Sequence, residues 1–370
     1  VHPESCLPIT LDVGTNNQDL LEHPLYLGLR RERLEGQEYA DFIEEFVAAV
    51  EARFPGIVLQ FEDFATRNAF DLLQRYRDRL CAFNDDMQGT AAVTLAGILS
   101  AQNITGRSLP EERLLFLGAG EAAVGIADLI VAAQLRHGTP EADAESRIWF
   151  MDSKGLVVKE RTDLQPHKLR FAQDHEFLPD LASAVEAFRP TAIIGVSGQP
   201  GTFTEPVVRR MAELNDRPIV FALSNPTANS ECTAEQAYGW TDGRAVFASG
   251  SPFDPVEIGG RTLVPGQANN AYIFPGVGLG LIVSGAVRAT DEMFYAAAKV
   301  LADAGSGRAQ ENGCLFPPLT EIRDVSAAIA TAVAELAYDN ELARNPRPPD
   351  VELADHVREQ MYEPVYPDYV

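Results

Sequence analysis

The chain has 370 residues, which is enough for two domains with ordinary hydrophobic cores. Its formal net charge of −24 argues against a nucleic-acid partner, because binding to a phosphate backbone requires a cationic surface. No apolar run approaches the roughly 18 residues needed to cross a bilayer, so we expect no membrane partner.

The cysteines and the N-terminus indicate the compartment. Four cysteines are widely spaced and form no CxxC pair: Cys6, Cys81, Cys232 and Cys314. This favours reduced thiols over disulfides or a zinc site, and we expect a cytoplasmic location. The N-terminus has no basic region followed by an apolar one, so we expect no signal peptide. It also has no initiator Met, which favours a processed product or a piece of a longer chain.

The first hundred residues predict three helices and one strand. Apolar residues at helical spacing predict a helix over 39–54, and Pro55-Gly56 ends it. A short strand is expected over 57–61. Further helices are expected over 68–80 and 88–101.

From residue 114 the pattern changes to apolar strands that alternate with helices. Strands are predicted over 114–117, 148–151, 192–196, 219–223 and 245–248. Helices are predicted over 121–136, 182–188, 206–214 and 233–238. Nearly continuous apolar strands alternating with helices indicate an α/β class with a doubly wound parallel sheet, of Rossmann type, covered on both faces.

Beyond residue 270 the pattern is helical, with helices predicted over 272–287, 291–304 and 325–340. The proline-rich tail from residue 345 predicts an extended arm. We therefore expect a dinucleotide-binding domain over 85–269. Residues 1–84 and 270–342 would form an incomplete second α/β domain with C-terminal helices, and 343–370 the arm.

A glycine-containing turn joins the strand at 114–117 to the helix at 121–136. Gly118 permits a tight turn, and Gly120 lets the backbone approach a pyrophosphate. Ala123 stands where a third glycine often allows close packing between helix and strand. This context favours dinucleotide binding over a plain turn between strand and helix.

The next strand ends in Asp152-Ser153-Lys154. An acid at that point can bind ribose hydroxyls and favour NAD, although it lies 34 positions after Gly118 (152 − 118), more than the roughly 20 that are usual. Lys154 can instead pair with the 2′-phosphate of NADP, or be a solvated turn residue. The residues themselves leave NAD and NADP open.

Two acidic pairs and two polar loops are further candidates. Glu62-Asp63 follows a predicted strand, and Asp85-Asp86 precedes a predicted helix. Such carboxylates can converge on magnesium or manganese, but spacing alone favours solvated loops or a helix N-cap. Asn225 and Asn269 lie in loops where an amide can bind a carboxylate, or simply form a turn.

Taken together, six segments resemble malic enzymes in order and spacing. They are 9–17 (ITLDVGTNN), 60–64 (QFEDF), 83–90 (FNDDMQGT), 116–123 (FLGAGEAA), 222–227 (ALSNPT) and 247–253 (FASGSPF). The resemblance extends from about Cys6 to the C-terminal tail. It favours a functional interpretation of the acidic pairs.

The resemblance implies roles for individual residues. Glu62, Asp63 and Asp86 match ligands of a magnesium or manganese ion, and Asp85 matches an acid close to the catalytic base. Asn225 and Asn269 match residues that contact malate. Ser153 and Lys154 follow the pattern of NADP-preferring members, and Lys168 falls near a lysine that contacts the phosphate. The pyrophosphate turn matches Gly118, Ala119, Gly120, Glu121, Ala122 and Ala123.

The implied reaction is oxidative decarboxylation of malate to pyruvate and CO2, with reduction of NADP, or alternatively NAD, and a divalent metal ion. NADP is favoured if Asp152 can turn away to solvent. Alternatives are a non-catalytic metal- or cofactor-binding fragment, a regulatory paralogue, or a simple 2-hydroxyacid dehydrogenase. Hydride transfer alone needs no metal, so the acidic residues argue against the last.

The resemblance also implies residues that have no counterpart in the chain. The family's proton-accepting lysine, proton-donating tyrosine and a substrate-binding arginine lie upstream of residue 1. We therefore expect poor turnover of malate, with at most a residual rate that uses Asp85 as a weak base. Uncovered apolar surface would promote association, and we expect a homo-oligomer.

Overall fold

The computed structural model describes residues 1–64 and 66–365, without the side chains of 66, 67 and 308–310. Its strands are β1 (Val58–Phe61), β2 (Cys81–Asn84), β3 (Leu114–Leu117), β4 (Ile148–Asp152), β5 (Gly155–Leu156), β6 (Ala192–Gly195), β7 (Ile219–Ala222), β8 (Val246–Ser249), β9 (Val256–Ile258), β10 (Arg261–Leu263) and β11 (Gly266–Gln267).

The helices are α1 (Gln18–Glu22), α2 (Gly36–Arg53), α3 (Thr66–Tyr76), α4 (Thr90–Thr105), α5 (Glu121–Arg136), α6 (Glu141–Ser146), α7 (Leu181–Phe188), α8 (Glu205–Leu214), α9 (Ala234–Trp240), α10 (Phe274–Ser284), α11 (Asp291–Asn312), α12 (Ile322–Asp339) and α13 (Leu353–Glu359). A π-helical segment, Asp85–Gly89, leads directly into α4.

The main sheet has seven strands in the order β11-β8-β7-β6-β3-β4-β5. All neighbours are parallel except the short edge pair of β4 and β5. The strand order reverses between β3 and β6, and α5 covers one face of the sheet whereas α7, α8 and α9 cover the other, as in doubly wound folds. The predicted α/β class and parallel sheet are confirmed.

Both faces of this sheet are buried because alternate side chains enter two different cores. Phe116 and Phe221 face a core built with α4, α5 and α10 to α12. Leu115 and Val220 face a second core built with α7, α8 and α9. This double burial is the physical reason that the strands are almost entirely apolar in sequence.

A second, two-stranded parallel sheet precedes the main sheet in the sequence. It pairs β1 with β2 so that Phe61 stands opposite Asn84. The sequence pattern predicted β1 but not β2, because residues 81–84 directly follow a helix that was expected to end at residue 80. All four residues of β2 are buried. This pairing brings the two acidic pairs to one edge.

The C-terminal part corrects one prediction. The tail is not an extended arm throughout, because Leu353–Glu359 forms α13. Leu353 and Val357, one helical turn apart, are buried against Leu279 and Ala334 of α10 and α12. A seven-residue helix is stable only through such packing, so its own sequence signal is weak. The end of the predicted arm, 366–370, lies outside the described residues.

The largest core joins segments from both predicted domains. Phe116 and Ile194 of the main sheet share it with Leu281, Leu301 and Ile329 of the C-terminal helices. The division into 85–269 and 1–84 with 270–342 therefore stays a prediction. Within the described residues, no helix is both long and apolar enough to cross a membrane.

Candidate functional site

Four acidic residues follow the paired ends of β1 and β2. Because the strands are parallel and Phe61 is in register with Asn84, Glu62-Asp63 and Asp85-Asp86 leave the sheet at the same edge. Asp63 has a positive φ of 57°, which reverses the chain after the strand. The parallel pairing of β1 and β2 therefore brings the two acidic pairs close together, as the sequence analysis predicted.

Carboxylate oxygens of Glu62, Asp63 and Asp86 lie within 4.8 Å of one another. Glu62 and Asp63 are exposed, and Asp86 is half-buried. Burial and the charges of Glu62 and Asp63 raise the pKa of Asp86 to about 6. Its Oδ2 is buried and has no hydrogen-bond partner among the described residues.

Asp85 lies behind this group and is fully buried. Burial raises the pKa of Asp85 to about 8, and the charges of Glu62 and Asp86 add to the effect. Asn270 donates a side-chain hydrogen bond to its Oδ2, whereas Oδ1 has no partner in the described part of the chain. Sequence reasoning missed Asn270, although it directly follows the candidate Asn269.

Gly89 makes room for the Asp85 carboxylate. A Cβ built on Gly89 would lie 2.0 Å from Asp85 Oδ1 and 3.3 Å from the Cβ of Asn270. The backbone of Gly89 is ordinary right-handed helix, with φ −65° and ψ −44°. The glycine is therefore required by space and not by backbone conformation.

The glycine turn lies at the carboxyl end of β3, next to the switch point. Gly118 has a φ of 109°, and a Cβ there would lie 2.6 Å from the carbonyl oxygen of Val196. Gly120 is the N-cap of α5, and the space above it is open within 4 Å of a Cβ. Ala119 and Ala123 are buried beneath the turn, and Ala122 is half-buried. A helix N-terminus with open space above it suits a phosphate group.

Glu121 and His167 flank this turn. Burial raises the pKa of Glu121, and its Oε2 is buried without a hydrogen-bond partner among the described residues. His167 Nε2 lies 3.2 Å from the carbonyl oxygen of Ala119, and burial lowers the pKa of this histidine. Sequence reasoning missed His167, which carries no motif and reaches the turn only through the short helix Pro166–Phe171.

A charge cluster stands at the end of β4. The Asp152 carboxylate accepts from Arg161 Nη1 at 2.9 Å and Nη2 at 3.0 Å, and from Lys168 Nζ at 3.0 Å. Burial alone would raise the pKa of Asp152, but hydrogen bonds from Arg161, the Lys154 amide and Lys168 lower it to about 2. Asp152 is thus held in place and not turned to solvent.

Lys154 joins the same cluster from the turn between β4 and β5. Its Nζ lies 2.6 Å from Asp163 Oδ2, and Arg161 also contacts Asp163. Three cations therefore meet two carboxylates, which leaves one net positive charge beside the glycine turn. Ser153, in the same turn, is exposed. Arg161 was missed because no motif distinguishes it from other basic residues.

The two candidate asparagines occupy the carboxyl edge of the main sheet. Asn225 is exposed in the loop after β7, and its peptide bond to Pro226 is cis. Asn269 follows β11, and its Oδ1 accepts from the amide of Ala271 at 2.8 Å. The short turn Asn270–Tyr272 then carries Asn270 to Asp85. Asn269 is therefore also a structural turn residue.

Two models of known protein families together match nearly the whole chain. A model described as "Malic enzyme, NAD binding domain" matches residues 87–338, and one described as "Malic enzyme, N-terminal domain" matches residues 1–77. The first match alone covers more than half of the chain.

Named relatives agree. A chloroplastic NADP-dependent malic enzyme of Zea mays is 52% identical over 373 residues, which is 100% of this chain and 58% of that protein. NADP-dependent malic enzyme 2 of Arabidopsis thaliana is 51% identical, over 100% of this chain and 63% of that protein. The Homo sapiens NADP-dependent malic enzyme is 50% identical, over 99% and 64%. The chain thus spans about three fifths of the length of these relatives.

Solved structures share the fold. The malic enzyme of Entamoeba histolytica superposes with a TM-score of 0.71 at 25% identity, over 89% of this chain and 65% of that one. That of Pyrococcus horikoshii gives 0.69 at 26% identity, over 88% and 70%. With the family model, the relatives and the fold in agreement, the chain belongs to the malic enzyme family.

Proposed function

We propose that this chain forms the metal- and dinucleotide-binding part of an enzyme that oxidises and decarboxylates malate to pyruvate and CO2 with reduction of NADP. One observation carries the proposal. The carboxylates of Glu62, Asp63 and Asp86 converge within 4.8 Å in a chain that is 52% and 51% identical to two NADP-dependent malic enzymes.

The donor set suits a hard divalent cation such as magnesium or manganese. All donors are oxygens, and no histidine or cysteine of the described residues belongs to the cluster. Asp85 Oδ1 and Asp86 Oδ2, both buried without partners among the described residues, would each gain from a nearby positive charge. A bound metal would supply charge to polarise the oxygen at C2 of the substrate.

Asp85 is suited to holding a proton beside that site. Its carboxyl group is buried, its pKa is raised to about 8, and Asn270 orients it by a hydrogen bond. A carboxyl group with a pKa near neutrality can exchange a proton with a neighbouring base or acid. We assign Asp85 this positioning and proton-holding role, and we assign Asp86 to metal binding.

The cation cluster at the end of β4 supports NADP over NAD. Arg161 and Lys168 hold Asp152 in place and Lys154 pairs with Asp163, so this cluster of three cations and two carboxylates keeps one net positive charge to attract a 2′-phosphate. Gly118 and Gly120, with the N-terminus of α5, would hold the pyrophosphate. Asn225 and Asn269 remain our candidates for contacts with the malate carboxylates.

A simple 2-hydroxyacid dehydrogenase is the second candidate. It is less favoured because hydride transfer alone needs no metal ion, and the three converging carboxylates would then bind nothing. Assembly into a homo-oligomer and a cytoplasmic location also remain predictions.

Manganese titration tests the metal site directly. Asp86→Ala should weaken manganese binding at least tenfold, since even a group that only orients a metal ligand contributes about tenfold or more. Asp78→Ala is the matched control, because Asp78 is an exposed carboxylate that pairs with Arg288 outside the cluster. Unchanged affinity in Asp86→Ala removes Asp86 from the site.

NADP reduction with malate and manganese tests the activity. We expect the rate of the 370-residue chain, however low, to require manganese and to fall in Asp86→Ala but not in Asp78→Ala. Malate oxidation that continues in a chelator would favour the metal-independent dehydrogenase instead.

A further inference from the structure

A small polar cavity lies at the amino ends of the strands of the main sheet, whereas the glycine turn lies at their carboxyl ends. It has a volume of about 150 Å³. Arg217 precedes β7 and Ala245 precedes β8, so the cavity opens at the amino ends of these strands. The candidate site described above uses the carboxyl ends. The lining residues are Asn103, Ile104, Arg217, Tyr238, Ala245, Arg261, Leu263 and Gly313.

Two arginines line this cavity without a carboxylate partner. In the described part of the chain, neither Arg217 nor Arg261 forms an ion pair, and the Nε of Arg217 donates to the carbonyl of Arg244 at 2.9 Å. Burial lowers the pKa of Arg217, the positive charge of Arg261 acts in the same direction, and the charge of Asp216 opposes them. Arg217 is half-buried and Arg261 is exposed at the mouth of the cavity, so two cations face one small polar space.

Tyr238 adds an unused hydrogen-bond donor. The side chain is 1% exposed and packs edge-on against Phe247. Its hydroxyl is buried and has no hydrogen-bond partner among the described residues. A buried hydroxyl without a partner costs free energy, which a ligand that accepts its hydrogen bond would recover.

We propose that this cavity is a binding site for a small free oxyanion with two negative charges, such as inorganic phosphate, held by Arg217, Arg261 and the hydroxyl of Tyr238. The chemistry fits because guanidinium groups form paired hydrogen bonds with phosphate oxygens. The cavity has space for one such anion with a few water molecules. Binding would relieve the repulsion between the two arginines and satisfy Tyr238.

Calorimetric titration of the full chain with phosphate, in a buffer free of other oxyanions, tests the site. Arg261→Gln and Tyr238→Phe should each weaken phosphate binding about tenfold or more, since each removes a hydrogen bond to a charged ligand. Arg217 is left intact, because its bond to Arg244 also supports the fold. Arg53→Gln is the matched control, being an exposed arginine outside the cavity whose guanidinium stacks on Phe54.

Two further measurements make the outcome unambiguous. Tyr238→Phe should unfold at the same or a higher urea concentration than the parent, since it removes a buried hydroxyl without a partner, so weaker binding is not a folding defect. Lys168→Gln reports any phosphate that binds at the cation cluster at β4 instead, and it should leave unchanged the component of phosphate binding that Arg261→Gln and Tyr238→Phe weaken. Absence of binding, equal affinity in all variants, or loss only in Lys168→Gln would overturn the proposal.

Discussion

Replacing Gly89 with alanine is the most direct test of how Asp85 is held. The added methyl group would lie 2.0 Å from Asp85 Oδ1 and 2.9 Å from its Cγ. The backbone at Gly89 is right-handed helical and accepts alanine without strain. Asp85 is fully buried, so its carboxylate cannot swing into solvent to make room. The consequence of the substitution is therefore purely steric.

The magnitude follows from two opposing terms. Overpacking a buried site costs about 1–3 kcal/mol, whereas replacing a helical glycine with alanine gains about 0.5–1 kcal/mol. Gly125→Ala in α5 is the matched control, because its Cβ would meet only the Met87 Cε at 3.7 Å, an ordinary contact. We expect Gly125→Ala to be stabilising and Gly89→Ala to be destabilising, with free energies of unfolding about 2 kcal/mol apart.

Urea denaturation measures the free energies of unfolding, and manganese titration measures the second consequence. Displacing Asp85, whose carboxyl group lies close enough to Glu62 and Asp86 to feel their charges, should lower manganese affinity in Gly89→Ala, whereas Gly125→Ala should leave it unchanged. If Gly89→Ala matches Gly125→Ala in both stability and manganese affinity, the close approach of Gly89 and Asp85 has no energetic role and the reasoning fails.

Two further predictions concern the cofactor and pH. Lys168→Gln should weaken NADP binding about 10- to 100-fold and change NAD binding little, because it removes one charged contact to a 2′-phosphate. Calorimetry with both cofactors measures this difference. Lys159→Gln is the control, because Lys159 forms a largely exposed pair with Asp174. An equal loss for both cofactors would remove Lys168 from phosphate recognition. The pKa values of Asp85 and Asp86, about 8 and about 6, lie above the value of 3.8 for a free aspartate, so these groups make the metal-free chain less stable as the pH rises from about 4 to 8. The gain in melting temperature on adding manganese should accordingly be larger at pH 8 than at pH 5.5, and an equal gain at both would contradict the assignment.

The sequence by itself determined the α/β class and the central elements of the fold. The strand at 114–117 and the helix at 121–136 were predicted with the bounds later observed. Their signals are local: an apolar run buried on both faces, a tight glycine turn and a long helical period. The same local signals predict a dinucleotide-binding turn at Gly118 and Gly120.

Short elements were decided by tertiary contacts. The strand β2 and the helix α13 have few residues and no periodic signal of their own. Each is stable because a partner covers it, β1 in one case and the pair of α10 and α12 in the other. Burial by distant residues cannot be read from a window of four to seven residues.

The same division holds for the site. The sequence identified both acidic pairs, but spacing alone favoured solvated loops, because Asp85 lies 23 positions after Glu62 (85 − 62) along the chain. Only the parallel register of β1 and β2 brings Glu62, Asp63 and Asp86 within 4.8 Å. Likewise, the orientation of the Asp152 carboxylate depends on Arg161, which lies in the loop after β5 and forms an ion pair with Asp152. Charges separated along the chain acquire their energies from distance and burial, and these are properties of the folded state alone.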